Sequence, residues 1–124
     1  MNATTLARVT KLARAAAVLL TLGLFTVSSI PAAGHAFPGI LHWIAHIAAF
    51  ALIGFAFGLG WPLRPALHMA VLVAAIGAIH EATQIVTHNH AFETGDVSVN
   101  AIGALLGIVI QRVAEGMRRP APQS

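Results

Sequence analysis

Cysteine is missing altogether, which excludes disulfides and thiolate chemistry and gives no reading of redox compartment. Charge is nearly as scarce: 9% of the 124 residues are Asp, Glu, Lys or Arg, against about 25% in soluble proteins. No formally charged residue occurs anywhere between positions 15 and 63. The formal net charge of +3 is too small, beside so much apolar sequence, to suggest a nucleic-acid partner. What fills the chain is apolar residues, at 57%. A water-soluble domain of this length cannot bury that much. The composition therefore predicts an all-α integral membrane protein, with the lipid bilayer as its first partner.

Taken in order, residues 1–14 form a basic N-terminal segment carrying Arg8, Lys11 and Arg14. The apolar run that follows is too long for a single span, since a bilayer takes about 20 residues of helix. The stretch PAAGHAFPG divides it and reads as a loop. A first span is expected near 15–34 and a second near 40–60. Trp61-Pro62-Leu63-Arg64-Pro65 ends the second, because proline breaks helices and Trp and Arg suit an interface. A third span is expected over 66–87, with Ala70, Ala74, Ala78 and Ala82 as a smooth strip for a neighbouring helix. Residues 88–95 form a polar turn. A fourth, short span follows over 96–112, and a polar tail over 113–124. The core unit is thus a single four-helix transmembrane domain over 15–112.

An even number of spans puts both termini on one side. Arg8, Lys11, Arg14, Arg64, Arg112, Arg118 and Arg119 then all fall on that side. The positive-inside rule makes it the cytoplasm, and the expected location is a bacterial cytoplasmic membrane. The basic, apolar and small-residue parts of the N-terminus also match a signal peptide. Its apolar core is long for one and its cleavage site loose, so a retained spanning helix is expected.

Polar residues are gathered in one stretch. Positions 81–107, EATQIVTHNHAFETGDVSVNAIGALLG, hold three of the four acidic residues. Glu81 and Gln84 share a helix face, as do Asp96 and Asn100 on the next helix. Gly103 and Gly107 have the small-x-x-x-small spacing of close helix packing in lipid. His42 and His46, one turn apart, open the second span. Counted at 1.5 Å per residue, these groups lie within about 10 Å of one end of the bundle. Each has a plainer role open to it. Glu81 and Gln84 can be hydrogen-bonding glue, His42 and His46 interfacial side chains, Asp96 a helix cap, and His88 and His90 solvated loop residues. His42-x-x-x-His46 with Glu81 or Asp96 has metal-ligand spacing. The intervening Trp43-Ile44-Ala45 leaves no HExxH motif, so spacing alone assigns no metal and no cofactor is expected.

The pattern E-x-x-Q, then Asp twelve residues on, then N-x-x-G-A-x-x-G, resembles the VanZ-like membrane protein family. Here it is carried by Glu81, Gln84, Asp96, Asn100, Gly103, Ala104 and Gly107. The family's earlier motif is similar to D-K-x-x-H-F-x-A-Y. His42 and Ala45 match it, Trp43 replaces an aromatic, and His46 stands in place of Tyr. The Asp-Lys pair is absent, and His90 occupies a position where the family often has Arg. The resemblance covers about residues 40–110 and implies a small helical membrane protein.

Two functions are expected from these residues. In the first, His42, His46, Gln84, His90 and Asn100 line an outward polar pocket. It binds a cell-envelope lipid or lipid-linked precursor, or another membrane protein. In the second, the chain is an enzyme on a lipid-linked or cell-wall substrate. Glu81 is then general acid/base, His42 its partner, and Asp96 orients or shares the proton. Transport is disfavoured, because there is neither an inverted repeat nor a pair of broken helices.

Overall fold

In a computed structural model the described residues are 2–34, 36–88 and 93–117. The elements are α1 (Ala3–Ser28), a single turn α2 (Pro31–Gly34), α3 (Ile40–Gly60), α4 (Ala66–His88) and α5 (Thr94–Met117). Four of these are long and apolar enough to cross a bilayer. The all-α membrane bundle expected from composition is what the chain forms.

The long helices begin and end where local chemistry directs. Asn2 caps α1, its Oδ1 accepting from Thr5 N at 2.8 Å. The helix therefore starts at Ala3, well before position 15, and takes in the basic segment. It ends at Ser28 rather than 34. Ser29 N and Oγ both return to Phe25 O, and Pro31 has no N–H to continue the ladder. The expected loop PAAGHAFPG contains the single turn α2. Gly39 then takes a left-handed φ of 62° immediately before α3. The expected bounds of α3 and α4 hold. α5 is longer than expected, at 24 residues, because the helical ladder runs on through its polar C-terminal turn. There Gln111 Nε2 and Arg112 Nη1 both donate to Glu115 Oε2, at 3.1 and 3.4 Å.

α3 is the central helix, packed against α1 on one side and α5 on the other, with α4 laid mainly against α5. Phe50, Ile53, Val73, Ala104, Ile108 and Ala17 form the core. The α3–α5 seam is the tightest. A Cβ added at Gly103 would stand 2.6 Å from Ile47 O, and one at Gly107 would overlap the backbone of Ala51 and Phe55. Gly54 meets the Ala104 backbone in the same way from the other side. The glycine pair thus packs as its spacing predicts, and the helix it faces is α3.

The alanine strip of α4 behaves differently. Ala70 is buried, Ala74 and Ala78 are half-buried, and Ala82 is exposed. The buried face instead runs through Met69, Val73, Gly77, His80 and Glu81. At Gly77 an added Cβ would come 2.8 Å from Asn100 Cβ. Of the four alanines only Ala70 joins the core, beside Met69 and Ile108, and further along α4 the contact face is set by the polar pair and the glycine.

The end of the bundle that holds the C-terminal ends of α3 and α5 is closed by arginines. Arg14 Nε donates to Gly60 O at 2.8 Å, and its guanidinium lies 5.4 Å from the Trp61 ring centre. Arg112 donates to Pro62 O and Arg64 O, each at 2.8 Å. These bonds satisfy carbonyls that the end of α3 and the proline-rich turn leave without helical partners. Large apolar residues such as Leu19, Leu52, Val71, Ile79 and Leu105 point outward, more than 40% exposed. Such a surface suits lipid rather than water.

Candidate functional site

At the opposite end, three helix termini bring polar side chains to one level. α3 begins just after Gly39, which places His42 third and His46 seventh on one helix face. At the start of α5, Glu93 O accepts from Asp96 N and Val97 N at 3.1 and 3.3 Å. Asp96 is therefore third and Asn100 seventh in that helix. α4 runs the other way and carries His80, Glu81 and Gln84 into its last turns.

The side chains join in a continuous hydrogen-bonded run. His42 Nε2–H donates to Asp96 Oδ2 at 3.0 Å. His46 Nδ1–H donates to Asn100 Oδ1 at 2.8 Å. Asn100 Nδ2 donates to Glu81 Oε1 at 3.2 Å, and the same oxygen accepts from His80 Nδ1 at 3.2 Å. His46 Nδ1 is 3.7 Å from it. Gln84 Nε2 donates to His80 Nε2 at 3.4 Å, a long bond. The His42 and His46 rings are 4.4 Å apart between centres. Phe25 and Phe50 present edge-to-face contacts to His80 at 5.5 and 5.9 Å.

Exposure falls steadily inward along this run. The side chain of His42 is 30% exposed and that of His46 11%, while Glu81 is at 4% and His80 at 1%. Asn100 is fully buried. The cluster thus opens at His42, whose neighbours on α3 are the exposed Ile40, Leu41, Trp43 and Ile44. Asp96 Oδ1 is buried without a hydrogen-bond partner. Neither Glu81 nor Asp96 meets a lysine or arginine, because the described ones lie at or toward the other end of the bundle. Two buried carboxylates therefore face only histidine and amide groups, an arrangement that is costly in a low dielectric.

The structure brings His42, His46, Glu81, Gln84, Asp96 and Asn100 together, as their depth predicts. It pairs them differently from the expected scheme. His42 holds Asp96 and not Glu81; Glu81 instead serves His80 and Asn100, and His46 stands between the two halves. Asp96 is not the helix cap, since it lies two residues inside α5 and aims one oxygen at His42. His90 and the side chain of His88 lie outside the described residues. His80 is a member that the sequence motifs do not single out. Its signal is spacing: it lies four residues before Gln84 and adjoins Glu81, so all three turn to one side of α4.

Two triads have donor atoms that lie within 4.8 Å of one another, a separation compatible with holding a metal ion. One is His42, His46 and Asp96; the other is His46, His80 and Glu81. Both rely on His46.

The model of the VanZ/LLP1 family matches residues 3–115. No curated protein and no solved structure matches the chain.

Proposed function

The chain belongs to the VanZ/LLP1 family, and on that premise we propose that its polar cluster binds the headgroup of a cell-envelope lipid or lipid-linked precursor. The observation that carries this reading is the setting of His42. His42 is the side chain at 30% exposure in a run whose carboxylates, His80 and Asn100 are buried, and the residues on either side of it on α3, Ile40, Leu41, Trp43 and Ile44, are exposed. A molecule with an apolar tail beside a polar head complements that edge. Its tail lies along the apolar residues while its head exchanges hydrogen bonds with His42 and, behind it, His46 and Asn100. Gln84 supports the inner end through His80. The location in this proposal is the bacterial cytoplasmic membrane, with both termini in the cytoplasm. It rests on Arg8, Lys11, Arg14, Arg64 and Arg112, which belong to the half of the bundle away from the cluster.

A second reading has one specific observation in its favour. His42 at 3.0 Å from Asp96 is a histidine oriented by a carboxylate, the arrangement of a general base and its positioning partner. In that reading the chain transforms a lipid-linked substrate at His42. Glu81 then acts deeper in the cluster as the proton reservoir, through His46, whose Nδ1 is 3.7 Å from its Oε1.

The test is purification of the untagged chain in mild detergent, followed by mass spectrometry of the extracted lipid. Enrichment of one polar lipid class over the bulk membrane, lost in His42→Ala, is the expected result. A lipid profile equal to that of the bulk membrane for the wild-type chain would remove the binding proposal. Recovery of a chemically altered lipid, dependent on His42 and Asp96, would favour the second reading.

A further inference from the structure

Three features of the cluster bear on the cation it can hold. The first is charge: Asp96 and Glu81 are both buried, with relative exposures of 3% and 4%, and neither has an arginine or lysine partner among the described residues. Two carboxylates in so dry a place need positive charge close by. The second is the buried Oδ1 of Asp96, an acceptor that has no hydrogen-bond partner among the described residues. The third is donor chemistry. His42 and His46 project from one helix face and Asp96 from the facing helix, with their donor atoms within 4.8 Å of one another. A tetrahedral zinc ion with bonds near 2.0–2.1 Å holds its ligand atoms about 3.4 Å apart, so small side-chain rotations suffice.

We propose that His42, His46 and Asp96 form a binding site for a divalent transition-metal ion of the zinc type. Two imidazoles and one carboxylate leave one position of a tetrahedral ion open, as in sites that take water or a substrate oxygen. The surroundings orient the ligands. His46 donates its Nδ1–H to Asn100 Oδ1, so its Nε2 carries the lone pair, and Asn100 is in turn fixed by Glu81. Coordination through His42 Nε2 replaces the present bond to Asp96, and the ring's proton moves by way of solvent to Nδ1, so the ligand stays a neutral imidazole. The charge then closes: a dication balances Asp96 and the nearby Glu81.

The deeper triad is the weaker host. His80 already donates from Nδ1 to Glu81 and accepts at Nε2 from Gln84, so both ring nitrogens are occupied in a single neutral form. It also lies at 1% exposure, with no open edge for an ion to enter. The His42 triad has that edge.

The ion and the lipid are separate questions, because metal content and lipid content are measured independently on the same preparation. The experiment uses the full chain without a polyhistidine tag, reconstituted in zwitterionic nanodiscs and titrated with Zn²⁺ and Co²⁺. The expected result is one ion per chain. Asp96→Asn and His42→Ala should each weaken it by on the order of 100-fold or more, at least the loss seen when an outer-shell partner is removed. His80→Ala should change affinity by less than about 10-fold, the lower bound for such partners. Thermal melting of each variant shows whether it is folded. Should Asp96→Asn fail to fold, X-ray absorption on the zinc-loaded wild-type chain decides the matter, with two imidazoles and a carboxylate expected around the ion. A wild-type chain that holds neither ion would overturn the proposal. So would undiminished binding by Asp96→Asn, or loss confined to His80→Ala and Glu81→Gln.

Discussion

His42 and Asp96, 54 residues apart in the chain, meet at 3.0 Å and tie the first turn of α3 to the first turn of α5. The contact exists because the two helices start at the same depth and place their third residues face to face. It converts two unremarkable spacings, His42-x-x-x-His46 and Asp96-x-x-x-Asn100, into one ladder. His42 bonds Asp96 and, one turn deeper, His46 bonds Asn100 at 2.8 Å. The glycines one and two turns further along α5 bring the same two helices into backbone contact. Polar ladder and glycine seam are thus successive parts of one interface.

Orientation is open to a direct check. With the arginine-bearing end in the cytoplasm, a reporter fused after Gly60 reads inside and one fused after Thr87 reads outside. The reverse at both positions would invert the topology and place the cluster in the cytoplasm.

The glycine seam predicts a contrast between glycines. Gly107→Leu drives a side chain into the Ala51 and Phe55 backbone and should cost about 1–3 kcal/mol or more in detergent unfolding. Gly23→Ala meets nothing within 4 Å. It should be neutral or stabilising by up to about 1 kcal/mol, the helix-propensity difference between the two residues. Equal melting temperatures for the two variants would mean that α3 and α5 do not pack through Gly107.

Histidines at the two ends should differ in the same measurement. His80 is buried between Phe25 and Phe50 and bonds Glu81 and Gln84. His80→Ala opens a cavity and removes a donor from a buried carboxylate, a loss on the order of 2–4 kcal/mol. His68 is exposed near the start of α4, and His68→Ala should stay within about 0.5 kcal/mol. A His80 variant as stable as the His68 variant would remove His80 from the core of the cluster.

Glu81→Gln separates charge from shape. The amide oxygen of Gln can still accept from Asn100 Nδ2 and His80 Nδ1, so the fold and membrane insertion should survive. Lipid retention should fall partly if the cluster binds without chemistry. Turnover of a lipid substrate should disappear if Glu81 holds the working proton. Full lipid retention with unchanged or raised stability would make Glu81 a structural residue, since removing a buried charge often stabilises.

Much of this architecture is determined by sequence alone. Spans can be counted because the bilayer fixes the length of an apolar helix, and prolines and glycines at 31–39 and 61–65 punctuate the run. The common depth of His42, His46, Glu81, Gln84, Asp96 and Asn100 is also legible, since position along a helix is arithmetic. Gly103 and Gly107 announce a close seam by their spacing.

Only the tertiary structure decided who faces whom. In lipid the outside of a helix is as apolar as the inside, so hydropathy does not mark the buried face. Of the α4 alanines that read as a contact strip only Ala70 is buried, while Val73, Gly77 and His80 carry the contact along the rest of the helix. The rotation of each helix about its axis follows from which backbone Gly54, Gly103 and Gly107 approach, and the glycine spacing does not name that partner. That rotation gives His42 to Asp96, sets His46 against Asn100, and leaves Glu81 to His80. The polar groups and their depth belong to the sequence; their partners belong to the packing of α3 against α5.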